Sequence, residues 1–284
     1  MSYTIASNLK QAIKILKESD GKAQVIAGAT DLFLENLPSE LVDVSAVPEI
    51  LGITRGKDFL SIGAGVTHAE AAASSVIRSE AEALSEACRI VGSPQVRNMG
   101  TLGGNVINAA PAADAAVALV ALGAKAVLTD LYGSSREAFV VDLYGGYNRS
   151  SVDSSAEILM RFLLKPAQRG EGSAFLRFAP RAALALPLVN AAARIRVEQS
   201  LIKEARIVIA PAKPAPTRLL ETEKLLLGAK PGLDLWQKVK STASSEIEVR
   251  GSMLRCSEEY RCHLVGVLAR RVSQQAVVRA MEAE

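Results

Sequence analysis

Residues 97–114 read RNMGTLGGNVINAAPAAD, and this stretch carries most of the information in the chain. Gly100, Gly103 and Gly104 are interleaved with the amide side chains of Asn98, Asn105 and Asn108. The segment is too polar for a core strand and too regular in residue type for a flexible linker. It has neither the GxxxxGK[ST] of a P-loop nor the GxGxxG of a dinucleotide turn. The expectation is a loop wrapped round a flat polar ligand. Asp114 stands just before an apolar run. It serves either as the N-cap of that helix or as an acceptor for ribose or ribityl hydroxyls.

A second turn lies upstream. Residues 25–32, VIAGATDL, run from a strand into small residues and then into polar ones that can cap a helix. Small side chains let backbone N–H groups approach an anion, and a helix N-terminus adds positive potential. A pyrophosphate is the natural guest. The same pattern also describes an ordinary tight turn.

Working outward, residues 23–27, 41–44 and 59–63 read as short buried strands. Residues 67–70, THAE, match the spacing of a capping box and open a helix. Residues 113–122 form an apolar helix stopped by Gly123, and 126–129 a strand. The Gly-, Ser- and Tyr-rich stretch 131–155 reads as loop, with a short strand at 138–143. The Pro- and Gly-bearing stretch 166–172 reads as a boundary. Beyond it, 190–198 and 205–210 read as two strands near a sheet edge, joined through a polar break at 199–204. Helices follow at 217–227, closed by Gly228, and at 260–281. The fold class is α+β, in two domains.

Composition narrows the functions. With 284 residues and 49% hydrophobic content, the chain can bury one large or two modest cores. Aromatics at 4% argue against a base-stacking platform, and a net charge of +3 implies no polyanion partner, so no nucleic acid is expected. No run is long and apolar enough for a membrane span, and residues 1–10 lack the pattern of a signal peptide. The expected location is the cytoplasm. Cys88, Cys256 and Cys262 form no CxxC pair, and the histidines are only His68 and His263, so no metal ligands are assigned.

These segments together resemble one family. AGATDL (27–32), IGAGVTHAE (62–70) and VRNMGTLGGNVINAAPAADAA (96–116) look like the FAD-binding subunit of the molybdenum hydroxylases, the xanthine dehydrogenase and carbon monoxide dehydrogenase group. The resemblance runs on through 146–149, 157–159, 173–178, 210–218 and 259–261. It implies a PCMH-type FAD-binding domain of two α/β subdomains over 1–168. A smaller sheet-and-helix domain of the molybdenum hydroxylase flavoprotein type would fill 169–284.

The resemblance also implies the cofactor and partners. FAD would sit on this chain, with molybdopterin and 2Fe-2S clusters on a large and a small partner subunit. An acceptor such as NAD, a quinone or oxygen would take the electrons, and a dimer of heterotrimers is the usual assembly. The implied cofactor-binding residues are Val25, Ile26, Ala27, Gly28, Ala29, Thr30, Asp31 and Leu32 in the first loop. In the second they are Thr101, Leu102, Gly103, Gly104 and Asn105, followed by Asp114, Leu159 and Arg177. Val91 aligns with a flavin-contacting position and reads equally as core. No residue of this chain is assigned a catalytic role.

Two positions depart from the family pattern. Arg177 stands where many relatives carry Lys, and an Arg cannot exchange its proton. Ala29 stands where relatives often have a second Gly. If that residue takes a positive φ, the Ala costs on the order of 1 kcal/mol.

The remaining polar candidates have plain roles. His68 in the capping box is read as surface or half-buried, Cys88 as a buried thiol beside Leu84, and Trp236 as an anchor of the C-terminal domain. Tyr144 and Tyr147 pack in their loop or act as a mobile cover over the flavin. The rival readings are a non-catalytic scaffold of the same fold without flavin, supported by the two departures, and a stand-alone flavin oxidase. The oxidase is disfavoured because the chain offers no catalytic base or substrate pocket of its own.

Overall fold

A computed structural model describes residues 2–31, 38–249 and 256–284. The chain opens with strand β1 (Ser2–Ile5), helix α1 (Leu9–Glu18), β2 (Ala23–Ile26) and β3 (Glu40–Asp43). The three strands form a parallel sheet in the order β1-β3-β2. Asn8 starts α1 by accepting the Gln11 N–H at 2.9 Å, and the helix buries Ala12 and Leu16 on the sheet. Neither β1 nor α1 is among the sequence expectations.

A second sheet follows, built from β4 (Ile53–Arg55), β5 (Leu60–Gly63), β6 (Lys125–Asp130), β7 (Ser135–Phe139) and β10 (Glu157–Leu164). It is antiparallel, in the order β4-β5-β10-β6-β7, with Leu60, Ile62, Leu128 and Phe162 fully buried. A small hairpin, β8 (Tyr144–Gly146) with β9 (Arg149–Ser150), lies between β7 and β10. The strand expected at 138–143 ends at Phe139 and becomes a 3-10 turn over Val140–Leu143.

Between β5 and β6 run six helices: α2 (His68–Ala73), α3 (Ser75–Glu80), α4 (Glu82–Arg89), α5 (Pro94–Met99), α6 (Leu102–Ile107) and α7 (Asp114–Ala121). The capping box before α2 forms as expected. Thr67 Oγ1 accepts the Glu70 N–H at 3.2 Å, and Glu70 accepts the Thr67 N–H at 2.8 Å. The stretch expected as a loop, 97–114, is largely helical. Ser93 caps α5, with Pro94 at its first position, and Thr101 caps α6.

The last part holds β11 (Glu171–Phe178), β12 (Val189–Glu198), β13 (Leu201–Ala210) and β14 (Thr217–Arg218), paired in that order, then α8 (Leu220–Leu226), α9 (Leu233–Glu246) and α10 (Glu258–Glu282). Strands β12 and β13 are interior, not edge. The expected polar break shrinks to a two-residue turn at Gln199 and Ser200, with φ of 52° and 60°, the conformation a tight hairpin requires. The helix expected from 217 begins only at Leu220, because Thr217 and Arg218 extend the sheet against Ile209 and Val208.

This sheet is buried on both faces. Ala192 and Val208 pack into the core shared with α7, whereas Ala191, Ala193, Ile207 and Ile209 pack under the C-terminal helices with Trp236. Every residue of α7 is buried, so this apolar helix joins the two halves. Among the described residues, no helix is long and apolar enough to cross a membrane.

Candidate cofactor site

The first turn leaves β2 and passes against the end of α5. A Cβ on Gly28 would sit 1.9 Å from the Met99 carbonyl oxygen, so only glycine permits this approach. Ala29 takes φ of +53°, the left-handed region. The backbone N–H groups of Gly28, Ala29 and Thr30 donate to no acceptor among the described residues. Asp31 accepts from the Asn108 side chain at 3.1 Å, which ties the first turn to the end of α6. Leu32 lies outside the described residues.

The second turn is more fully occupied. Thr101 Oγ1 accepts the Gly104 N–H at 3.0 Å, the Leu102 N–H donates to Val66 O at 2.9 Å, and the Gly103 N–H donates to Ala64 O at 2.8 Å. Gly103 is needed because a Cβ there would meet Ala64 O at 2.8 Å. The open backbone donors among the described residues include those of Gly28, Ala29 and Thr30, while α6 supplies the wall. Asn105 accepts the Ala116 N–H at 3.3 Å through Oδ1, and its side-chain NH2 has no partner among the described residues.

These two turns border a cleft of about 650 Å³. It is lined by Val25, Ile26, Ala27, Gly28, Ala29, Thr30 and Asp31, and by Thr101, Gly104, Asn105, Asp114, Arg177 and Val91. A smaller apolar cavity of about 90 Å³ shares Val25, Ala27, Thr101 and Gly104 with it and adds Gly103 and Leu159. Leu102 lines neither cavity; it is fully buried in the core. Tyr144 packs on the core with its hydroxyl enclosed, and it is Asn148 and Ser150 of the same hairpin that reach the cleft.

At the far end, Arg177 Nη1 donates to Asp114 Oδ2 at 2.9 Å, and Asn190 Nδ2 donates to Asp114 Oδ1 at 2.7 Å. Asp114 is not the N-cap of α7. Ala113 holds that position without a side-chain cap, and Asp114 is the first helical residue, its carboxylate turned onto the other sheet. Arg177 and Asn190 are cross-strand partners on β11 and β12, so the register aims both at one carboxylate. Burial pushes the Asp114 carboxyl up from the usual range, against the pull of Asn190 and Arg177. Arg177 Nη2 also donates to Ala182 O at 3.1 Å and so anchors the segment whose Leu184, Ala185, Leu186 and Pro187 line the cleft.

His68 is neither on the surface nor half-buried. It is 2% exposed and lines the cleft at the start of α2. Burial, and secondarily Arg97, lower its pKa to about 4.

Residues 1–164 match the family described as FAD binding domain in molybdopterin dehydrogenase. The chain belongs to this family. Residues 174–276 match a second family, the CO dehydrogenase flavoprotein C-terminal domain. The xanthine dehydrogenase FAD-binding subunit of Escherichia coli O157:H7 is 28% identical, over 98% of this chain and 97% of its own length. The nicotinate dehydrogenase FAD-subunit of Eubacterium barkeri is 30% identical, over 68% of this chain and 67% of its own. Among solved structures, quinoline 2-oxidoreductase from Pseudomonas putida 86 superimposes with a TM-score of 0.90 at 26% identity, covering 99% of this chain and 98% of that one.

The cleft suits the family's FAD. Its volume lies within the roughly 300–1,000 Å³ of small-molecule sites, and three adjacent unpartnered N–H groups suit a diphosphate. Sequence reasoning missed Asn190, residues 184–187 and the cleft-facing place of His68. A single Asn inside the apolar run 188–193 was the available signal for Asn190. Nothing local marks the other two, because the cleft forms only when the halves pack.

Proposed function

We propose that this chain is the FAD-binding electron-transfer subunit of a heteromeric, molybdopterin-dependent dehydrogenase. Substrate is oxidised on a large molybdopterin subunit, and a small iron–sulfur subunit relays the electrons. An external acceptor, NAD, a quinone or oxygen, receives them. The bound FAD supplies the redox chemistry and lets single electrons be gathered and delivered in pairs. The chain's own residues bind and orient it. Gly28, Ala29 and Thr30 offer backbone donors, Thr101 and Asn105 polar side chains, and Leu159 an apolar surface. The observation that carries this reading is the row of three open N–H groups facing a cleft of cofactor size.

The same reading divides the chain at 168/169, supported by the connector between Leu164 and Glu171. It places the complex in the cytoplasm as a dimer of heterotrimers. It also favours a working flavin site over an empty scaffold. Ala29 accepts the strained φ that a glycine would take freely, and the N–H row stays open. Arg177 keeps a cation at the position where relatives have Lys, although Asp114 neutralises it.

Purification of the tagged full chain from its own host tests the assignment. FAD, iron and molybdenum in fixed ratio, carried by two co-purifying subunits, are expected. A chain that purifies alone and oxidises substrate unaided contradicts it.

A further inference from the structure

Among the described residues, His68 is the one titratable side chain on the cleft wall with neither a hydrogen-bond partner nor a role so far. Its backbone is fixed from two sides. The His68 N–H donates to Gly100 O at 3.0 Å, and the Thr67–Glu70 capping box locks the residue before it. Ring Nδ1 is enclosed and has no hydrogen-bond partner among the described residues. An enclosed Nδ1 cannot reach a ligand in the cleft, so the ring can meet one only through its other nitrogen, Nε2.

The ring's protonation follows from its surroundings. With its pKa lowered to about 4 by burial and then by Arg97, the imidazole is neutral near pH 7 and carries one proton. Nδ1 has no acceptor to which it can give that proton, so the proton belongs on Nε2. The Cδ2 atom next to Nε2 lies 3.4 Å from the point where a Gly100 Cβ would sit. Thr30 Oγ1 lies 3.2 Å from the same point. The Cδ2 side of the ring, which carries Nε2, thus shares the neighbourhood of Gly100 with Thr30 of the first turn, and both residues line the cleft. Arg97, held by Val91 O at 2.8 Å, adds positive potential at that wall.

We propose that His68 Nε2–H donates a hydrogen bond to a diphosphate oxygen of the bound dinucleotide and completes the cradle of backbone donors. This rests on the reading of the cleft as the FAD site. A donor to a charged oxygen is stronger than a neutral pair, and its loss weakens binding by about tenfold to a hundredfold.

The test uses the full chain freed of flavin. FAD, ADP and riboflavin are titrated into the parent and into His68→Phe and His68→Gln. Phe keeps a flat ring without a donor, and Gln restores an N–H near the Nε2 position. His68→Phe is expected to weaken FAD and ADP binding by the stated factor and to leave riboflavin unchanged, with Gln recovering part of the loss. With only two histidines in the chain, 15N-histidine spectra give a second readout. ADP should shift the Nε2–H resonance of His68 and leave His263 unmoved.

Unchanged FAD affinity in His68→Phe, an equal loss for riboflavin and ADP, or a still His68 resonance each overturns the assignment. Failure of the parent chain to bind FAD sinks the flavin reading itself. FAD uptake by the parent with an indifferent His68 sinks this inference alone.

Discussion

Arg177 and Asp114 form an ion pair at 2.9 Å across the seam between the two halves of the molecule, each side chain only 6% exposed. One comes from the C-terminal sheet and the other from the first turn of the helix that the N-terminal half packs around. A buried pair of this kind is costly to break because the survivor is left charged and enclosed. Arg177→Leu and Asp114→Leu should each lower unfolding free energy by about 3–5 kcal/mol. The double variant should lose less than the two singles combined. Urea unfolding of the three variants measures this, and simple additivity would mean that the pair is not coupled.

Ala29 sits at φ +53°, where an L-residue with a Cβ is strained. Ala29→Gly should therefore raise stability, by about 1 kcal/mol after the extra chain entropy of glycine is subtracted. FAD binding should be unchanged, because the N–H groups keep their directions. A lower urea midpoint in Ala29→Gly would contradict the strained geometry.

Much of this architecture is legible in residue order, and the exceptions have definite causes. The capping box at Thr67, the apolar helix before Gly123 and the buried Cys88 all follow from local rules. Residues 97–114 read as a ligand-wrapping loop because they are too polar for a core strand and too regular for a linker, yet most of them are helical, and their glycines and asparagines alone disfavour helix. Tertiary contacts override that preference, since Val66 O and Ala64 O take the first amides of α6. The sequence suggests that β12 and β13 lie near a sheet edge, whereas each has a neighbouring strand on both sides. The charges of β12 are paired, Arg194 with Glu171 at 2.6 Å in a largely buried pair and Arg196 with the exposed Glu204 at 2.9 Å. Of the two roles the sequence allows Asp114, the N-cap falls to Ala113, and its carboxylate accepts from Arg177, a partner 63 residues away that no local pattern marks.

His68 makes stability depend on pH in a definite direction. Its native pKa of about 4 lies below the unfolded value near 6.5, so between these values the unfolded chain binds a proton that the native chain does not. Stability therefore falls as pH drops from about 6.5 to about 4, by about 3 kcal/mol in all from this group. Urea unfolding at several pH values should show this slope in the parent and a slope smaller by one proton in His68→Phe. Equal slopes would contradict the burial of a neutral ring.

Cys88 is fully buried, and burial, with a smaller contribution from Asp114, pushes its thiol far above the usual range. Cys256 and Cys262 are partly exposed. A thiol reagent at neutral pH should modify the latter two in the native chain and reach Cys88 only after denaturant is added. Rapid native labelling of Cys88 would show that the core around α4 opens.

The most direct test of the central claim is the flavin content of the full chain and of Gly28→Ala, measured by visible absorption and by identification of the released cofactor. The parent should hold about one FAD per chain. Gly28→Ala should hold almost none, since its Cβ would collide with the Met99 carbonyl and displace the open N–H row. A colourless parent that takes up no added FAD, or a Gly28→Ala variant that binds FAD as the parent does, would contradict the account.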